Sequence, residues 1–328
     1  VRKGDEVVLP TFCCTSVIPP VLTFGATPVL ADIGAELNLT RETVEAAITD
    51  RTRAVIVPHL FGNPADIGPI IEVAHTRGIH VIDDAAQALG ATIDGRPVGS
   101  FGDAGILSFG AEKICFGLGG GVAVSRSKGV FDANRDLARA RLSPSLGGLM
   151  STMIRRRWRR WSLPVEKMFF KEQTAGPAVP LVPYGNECMP NLKAAVASTL
   201  METLDTNVAA RRARVQAYRD LLGNEERLQL IPHRPGSACL TQVVRVLPKA
   251  RGDDPASRLI EILGRAGYEV QGSYVPIHLI GHYEKWLREP LPHAEEVWDN
   301  LVELPCEPNV SREHVERITS IVKRDLHS

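Results

Sequence analysis

From residue 6 to about 125, short β-rich runs alternate with stretches of helical period, and this alternation restricts the fold more than any other feature of the chain. Glu6–Leu9, Thr27–Ala31, Ala54–Pro58, His80–Ile82, Gly105–Phe109 and Gly121–Ser125 read as strands. Arg41–Ile48 and Ile67–Thr76 read as helices, the second with Ile67, Ile70, Ile71 and Ala74 on one stripe. Strands joined through helices pair in parallel, because a parallel crossover needs that length of chain. The expected class is therefore α/β, a largely parallel sheet flanked by helices. Ligands of such sheets lie beyond the carboxyl ends of the strands, so the residues just after each strand carry the chemistry.

The rhythm breaks at about 140–185, where Pro144, Pro164, Pro177, Pro180 and Pro183 surround a cationic stretch. A long helix is then expected from Asn191 to about Leu222, with Leu192, Val196, Leu200, Leu204, Val208, Val215, Tyr218 and Leu222 near one face. Beyond it, Cys239–Leu247 reads as a strand, Pro255–Arg265 as a helix, Tyr268–Val275 as a strand and Ser311–Leu326 as a closing helix. The expected division is a large domain over 1–190, a bridging helix over 191–224 and a smaller α/β domain over 225–328.

Charge and cysteine content exclude several classes of function. With 38 Lys and Arg against 38 Asp and Glu, no global positive field grips nucleic acid. The six cysteines show no C-x-x-C and no His at ligand spacing, the pattern of a reduced, cytoplasmic protein without structural metal. No apolar run approaches the ~20 residues of a membrane helix. The local exception is the span 152–172, with an excess of five positive charges around Arg155, Arg156, Arg157, Trp158, Arg159, Arg160 and Trp161. Residues 149–161 have the amphipathic pattern of a helix at an anionic membrane surface, or of a solvated or dimer-packed helix beside a site that attracts a nucleotide diphosphate.

Val81-Ile82-Asp83-Asp84-Ala85-Ala86-Gln87 places acidic residues where an apolar strand emerges, and Ser108-Phe109-Gly110-Ala111-Glu112-Lys113 puts a lysine just past another strand. Two readings stand on position alone. Asp84 caps a following helix and pairs with Lys113, or the two charges face a ligand on a shared rim. Gly117-Leu118-Gly119-Gly120-Gly121 precedes a strand rather than opening a helix, so it reads as a glycine turn and not as a phosphate cradle.

Six stretches follow one another without large gaps: Gly4-Asp5-Glu6-Val7, Gly25-Ala26-Thr27-Pro28-Val29, His59-Leu60-Phe61-Gly62-Asn63-Pro64-Ala65-Asp66, the Asp84 motif, Val98-Gly99-Ser100-Phe101-Gly102-Asp103-Ala104 and the Lys113 motif. The series resembles the DegT/DnrJ/StrS family of sugar aminotransferases, pyridoxal 5'-phosphate (PLP) enzymes of fold type I. The likeness is strong from residue 4 to about 125 and continues through Asn186, Tyr274-Val275-Pro276-Ile277-His278 and Leu304-Pro305. It implies that Lys113 is the Schiff-base lysine, Asp84 the partner of the pyridine nitrogen, Gln87 a neighbour of the ring's phenolic oxygen and Ser108 a phosphate ligand. Asn186 would reach the phosphate of the neighbouring subunit's cofactor, implying a homodimer with shared sites. Tyr274 and His278 would approach as sugar or carboxylate contacts, or pack as core residues. The implied reaction moves an amino group from glutamate or glutamine to a keto group of a nucleotide-linked deoxysugar, as in polysaccharide biosynthesis.

Three departures accompany the resemblance. The sequence opens in mid-fold with Val1, so the family's phosphate-binding Gly-Thr-Ala-like turn is expected to be missing. Cys14 stands where relatives stack an aromatic residue on the ring, and Cys188 stands where many carry Arg. The alternative function is a degenerate, non-catalytic member that serves as a binding or dimerisation partner.

Overall fold

The computed structural model describes residues 1–139, 188–250 and 252–327. Five parallel strands, β1 (Glu6–Pro10), β2 (Thr27–Ala31), β3 (Thr52–Pro58), β4 (His80–Asp84) and β7 (Ala104–Ser108), build most of the first sheet. The antiparallel β8 (Gly121–Val124) completes it in the order β2-β1-β3-β4-β7-β8, while β5 (Thr92–Ile93) and β6 (Arg96–Pro97) form a separate hairpin. Alternation along each strand divides the core. Val8, Val29, Val55 and Val57 pack with Ile67, Ile70, Val73 and Ala74 of α3 (Ile67–His75). On the other face, Val7, Leu9 and Ile56 join a cluster with C-terminal residues. Both faces of β1 are thus covered, which explains its unbroken apolar run.

Short helices complete the crossovers: α1 (Ile18–Thr23) between β1 and β2, and α2 (Arg41–Ala47) between β2 and β3. Thr40 starts α2 through a reciprocal capping box with Thr43. After β8, α4 (Lys128–Arg139) leads into the span outside the described residues, which contains Asn186, the basic insertion and the 149–161 segment.

The expected single helix over 191–222 is two helices, α5 (Asn191–Met201) and α6 (Leu204–Leu222). At the break both the backbone N–H and the hydroxyl of Thr203 donate to the carbonyl of Leu200, so a local side-chain bond competes with the next helical turn. The following antiparallel sheet contains β9 (Leu228–Leu230), β10 (Thr241–Val246), β11 (Gln271–Gly272) and β12 (Leu301–Pro305), ordered β11-β12-β10-β9. The expected strand at Tyr268–Val275 shrinks to β11: Tyr268 and Val270 pack on one core cluster while Tyr274 and Val275 pack on the other. Chain that changes layers in this way cannot keep one ladder.

α7 (Pro255–Arg265) and α9 (Arg312–His327) cover one face of the second sheet over Val244, Val246, Val302 and Leu304. The opposite face presents Val243 and Leu301 to Val7, Leu9 and Ile56 of the first sheet. The short α8 (Pro292–Val297) is tied to the end of β2, where Asp32 accepts the backbone N–H groups of His293 and Ala294. The carboxyl ends of β1, β3, β4 and β7 therefore open beside chain that arrives from the second sheet.

Candidate active site

β4 ends on Asp83 and Asp84, whose side chains alternate to opposite faces. Asp83 is wholly buried, held by His59 Nε2 at 2.7 Å from Oδ1 and by the Phe101 N–H at 2.8 Å from Oδ2. Asp84 is buried too, but among the described residues its side chain accepts only the Ala86 N–H, at Oδ1 and 3.0 Å. No ion pair reaches Asp84 among the described residues. Burial accordingly raises its carboxyl pKa, with His59 and Lys113 opposing the shift. Residues 85–90 form turns rather than a helix, so the reading of Asp84 as a helix cap does not hold; the carboxylate closes only a local turn.

β7 ends on Ser108, whose hydroxyl oxygen accepts the Gly110 N–H at 3.3 Å and keeps its own proton to donate. A Cβ placed on Gly110 would lie 3.4 Å from Ser108 Oγ and 3.9 Å from Lys113 Cγ, so the serine hydroxyl and the lysine stem meet at that glycine. Glu112 adopts a left-handed φ of 62° immediately before Lys113, turning the chain back toward the sheet. The glycine run beyond it is a turn, as its sequence indicates: Gly119 and Gly120 have φ of 101° and 95°, and the Gly117 and Gly119 N–H groups donate to the Phe109 carbonyl.

The loop after β1 brings Thr11, Phe12, Cys13 and Cys14. Cys13 is buried, and its thiol pKa is raised chiefly by burial, then by Cys14 and Asp84. Cys14 is half-buried and accepts a hydrogen bond from Ser16 Oγ at 3.0 Å. Gln87 is buried with Oε1 accepting the Phe61 N–H at 2.9 Å and Nε2 donating to the Tyr274 hydroxyl at 2.8 Å. Tyr274 stands edge-on to Phe12 at 5.9 Å and tilted to Phe61 at 6.1 Å. Burial, then Glu303, push its hydroxyl pKa well above the usual phenol range. His278 has both ring nitrogens engaged, Nδ1 with Thr11 Oγ1 at 2.7 Å and Nε2 with Glu295 Oε1 at 3.2 Å.

The structure thus gathers Asp84, Gln87, Ser108, Lys113, Cys14 and Tyr274 around the carboxyl ends of β1, β3, β4 and β7, with His278 tied beneath the β1 loop. Cys188 is half-buried ahead of α5, and Asn186 lies outside the described residues. Sequence reading missed Glu303. It lies on β12 opposite Val243 and Gln271, facing the first sheet, and burial pushes its pKa up to about 8 while Glu112 raises it further and Lys113 opposes. A lone Glu inside the apolar run Leu301-Val302-Glu303-Leu304 was the available signal.

The donor set fits PLP. Asp84 is a buried carboxylate without an ion pair among the described residues, and a protonated ring nitrogen would supply one; Lys113 offers the amine; the Ser108 hydroxyl can donate to a phosphate. A stretch of 127 residues is 46% identical to UDP-N-acetyl-3-dehydro-alpha-D-glucosamine 3-aminotransferase from Acidithiobacillus ferrooxidans, covering 38% of this chain and 34% of that relative. GDP-perosamine synthase from Caulobacter vibrioides is 28% identical over 99% of this chain and 80% of its own length. The crystal structure of the aminotransferase TlmJ from Streptoalloteichus hindustanus superposes with a TM-score of 0.80 at 27% identity, covering all of this chain and 80% of that one. The family model of the DegT/DnrJ/EryC1/StrS aminotransferases matches residues 1–323. The chain belongs to this family of PLP-dependent sugar aminotransferases of fold type I.

Proposed function

We propose that the chain transfers an amino group from glutamate or glutamine to a keto group of a nucleotide-linked deoxysugar, with Lys113 as the proton-moving amine. The observation that carries this reading is the buried Asp84, without an ion pair among the described residues, beside Ser108 and Lys113 at the sheet's carboxyl edge. The curated relatives named above are enzymes acting on sugar nucleotides, which favours turnover over a binding-only role.

Bound PLP supplies an electron sink for the carbon that loses a proton. Asp84 keeps the ring nitrogen protonated: a carboxylate at ~4 Å from a cation contributes roughly 4 kcal/mol at an effective dielectric of 20, about three pKa units. Ser108 donates to the phosphate, and Gln87 bonds the ring's phenolic oxygen. Lys113 would hold the cofactor through its Nζ, and its amine would take a proton from the substrate carbon and return it, as general base and then acid. Tyr274 lines the site behind Gln87, and Cys14 packs against the ring.

The reading extends to a cytoplasmic homodimer with shared sites, in which Asn186 contacts the partner's cofactor. Residues 1–190 form its cofactor-binding domain, 191–224 the bridge and 225–328 the small domain. Among the described residues no helix is long and apolar enough to cross a membrane. The test is to mix purified protein with PLP, reduce with borohydride and map peptides. Attachment at Lys113, absent from Lys113→Ala, together with 2-oxoglutarate formed from glutamate and a keto-sugar nucleotide, is the expected result. A folded chain that attaches nothing at Lys113 overturns the reading.

A further inference from the structure

The amide of Gln87 can be oriented from its partners alone. Phe61 N–H is a donor, so the atom 2.9 Å from it is the amide oxygen; the reversed amide would set two donors against each other. The nitrogen consequently faces Tyr274, whose hydroxyl oxygen accepts one of its two N–H bonds at 2.8 Å. One N–H remains.

Both anchors are themselves fixed. Phe61 has a left-handed φ of 58°, and its carbonyl accepts the Leu240 N–H at 2.9 Å. A Cβ on the following Gly62 would sit 2.6 Å from the nitrogen of Leu240, so this loop lies directly against the chain entering β10. Tyr274 comes from the chain beyond β11, its ring packed on Phe12 and Phe61. Its hydroxyl therefore reaches from the C-terminal part of the molecule to a residue three beyond Asp84, the end of β4. The phenol also stays neutral there, because burial and Glu303 both disfavour the phenolate.

We propose that Tyr274 is a positioning residue that acts through Gln87, holding its amide so that the remaining N–H is presented to the ring oxygen of PLP. This rests on the cofactor reading above, and it gives Tyr274 a role other than substrate contact. The hydroxyl accepts from Gln87 and keeps its own proton, and its placement depends on how the C-terminal part sits against the first sheet. Cofactor holding and the packing of the two sheets are thereby linked through one hydrogen bond.

The first test needs no cofactor. In apo protein labelled with 15N-glutamine, one Gln87 side-chain proton should exchange slowly with water, and Tyr274→Phe should speed its exchange at least about 10-fold while the ring packing keeps the fold. The second is a double-mutant cycle on PLP affinity read by absorbance titration: Tyr274→Phe weakens binding about 5- to 10-fold alone and adds nothing in a Gln87→Leu background. Unchanged amide exchange, or additive losses in the cycle, would overturn the proposal and return Tyr274 to a substrate or packing contact. Should the chain take up no PLP, the cofactor reading fails, and the apo exchange measurement still decides whether Tyr274 holds Gln87.

Discussion

His59 Nε2 lies 2.7 Å from Asp83 Oδ1, with neither side chain exposed to solvent. His59 Nδ1 accepts the Ala65 N–H at 2.9 Å, so the ring proton sits on Nε2 and is donated to the carboxylate. The His59 backbone N–H also donates to the Asp84 carbonyl at 3.0 Å. Burial works against the charge on Asp83, yet the bonds from His59 and Phe101 hold its pKa below the usual carboxylate value. One pair on the far side of the sheet thus ties two loops to the end of β4 and sets the backbone from which Asp84 faces the site.

Removing one member leaves the other buried with its side of this bond unmade. Asp83→Ala is expected to destabilise the fold by about 3 kcal/mol, and Asp83→Asn, which keeps an acceptor for His59, by less than half of that. Urea denaturation midpoints check both values. Equal losses in the two variants would mean that the bond to His59 contributes little.

Glu303 makes the protein sensitive to alkali. Its pKa rises from 4.5 to about 8 on folding, so the native state binds more protons than the unfolded chain between those values. Stability from this group is therefore full below about 4.5 and declines as pH rises toward 8, with an upper slope of roughly 1.4 kcal/mol per pH unit. Glu303→Gln should flatten that decline in urea midpoints measured from pH 5 to 9. An identical slope in both proteins would show that other groups cause it.

Glu6 behaves in the opposite sense. It is buried at the start of β1 and receives Arg288 at 2.8 Å and 3.1 Å, Arg51 at 2.5 Å and the Thr49 hydroxyl at 2.6 Å. The Arg288 hydrogen bond is the largest of the causes that lower its pKa to about 2. The stabilisation is present above about 4.5 and is lost as pH falls through about 2. Arg288→Ala, which leaves Arg51 in place, should cost about 2 kcal/mol at pH 7 and move acid unfolding to higher pH. Circular dichroism from pH 7 to 2 reads the shift, and an unmoved midpoint would assign the stabilisation to Arg51 and Thr49.

Much of the first sheet was legible because its strands are short, apolar and separated by helix-length chain. Glu6–Leu9, Thr27–Ala31 and His80–Ile82 mark β1, β2 and β4 to within two residues. Pro255–Arg265 was legible as α7 from its period. The break at Thr203 was hidden because the apolar positions of α5 and α6 continue across it. The strand expected around Tyr268 misled because its apolar residues serve two different cores.

The sequence by itself determined the class of sheet and which residues end its strands, since hydrophobic period and strand-terminal polar residues are local properties of the chain. That was enough to single out Asp84 and Lys113, to which the family resemblance added Ser108. Only the tertiary structure decided that Gln87 is held between Phe61 and Tyr274, that His278 is tied to Thr11 and Glu295, and that Glu303 is buried facing the site. These residues are far apart in sequence, and burial, hydrogen-bond capacity and pKa depend on which distant chain supplies the partner.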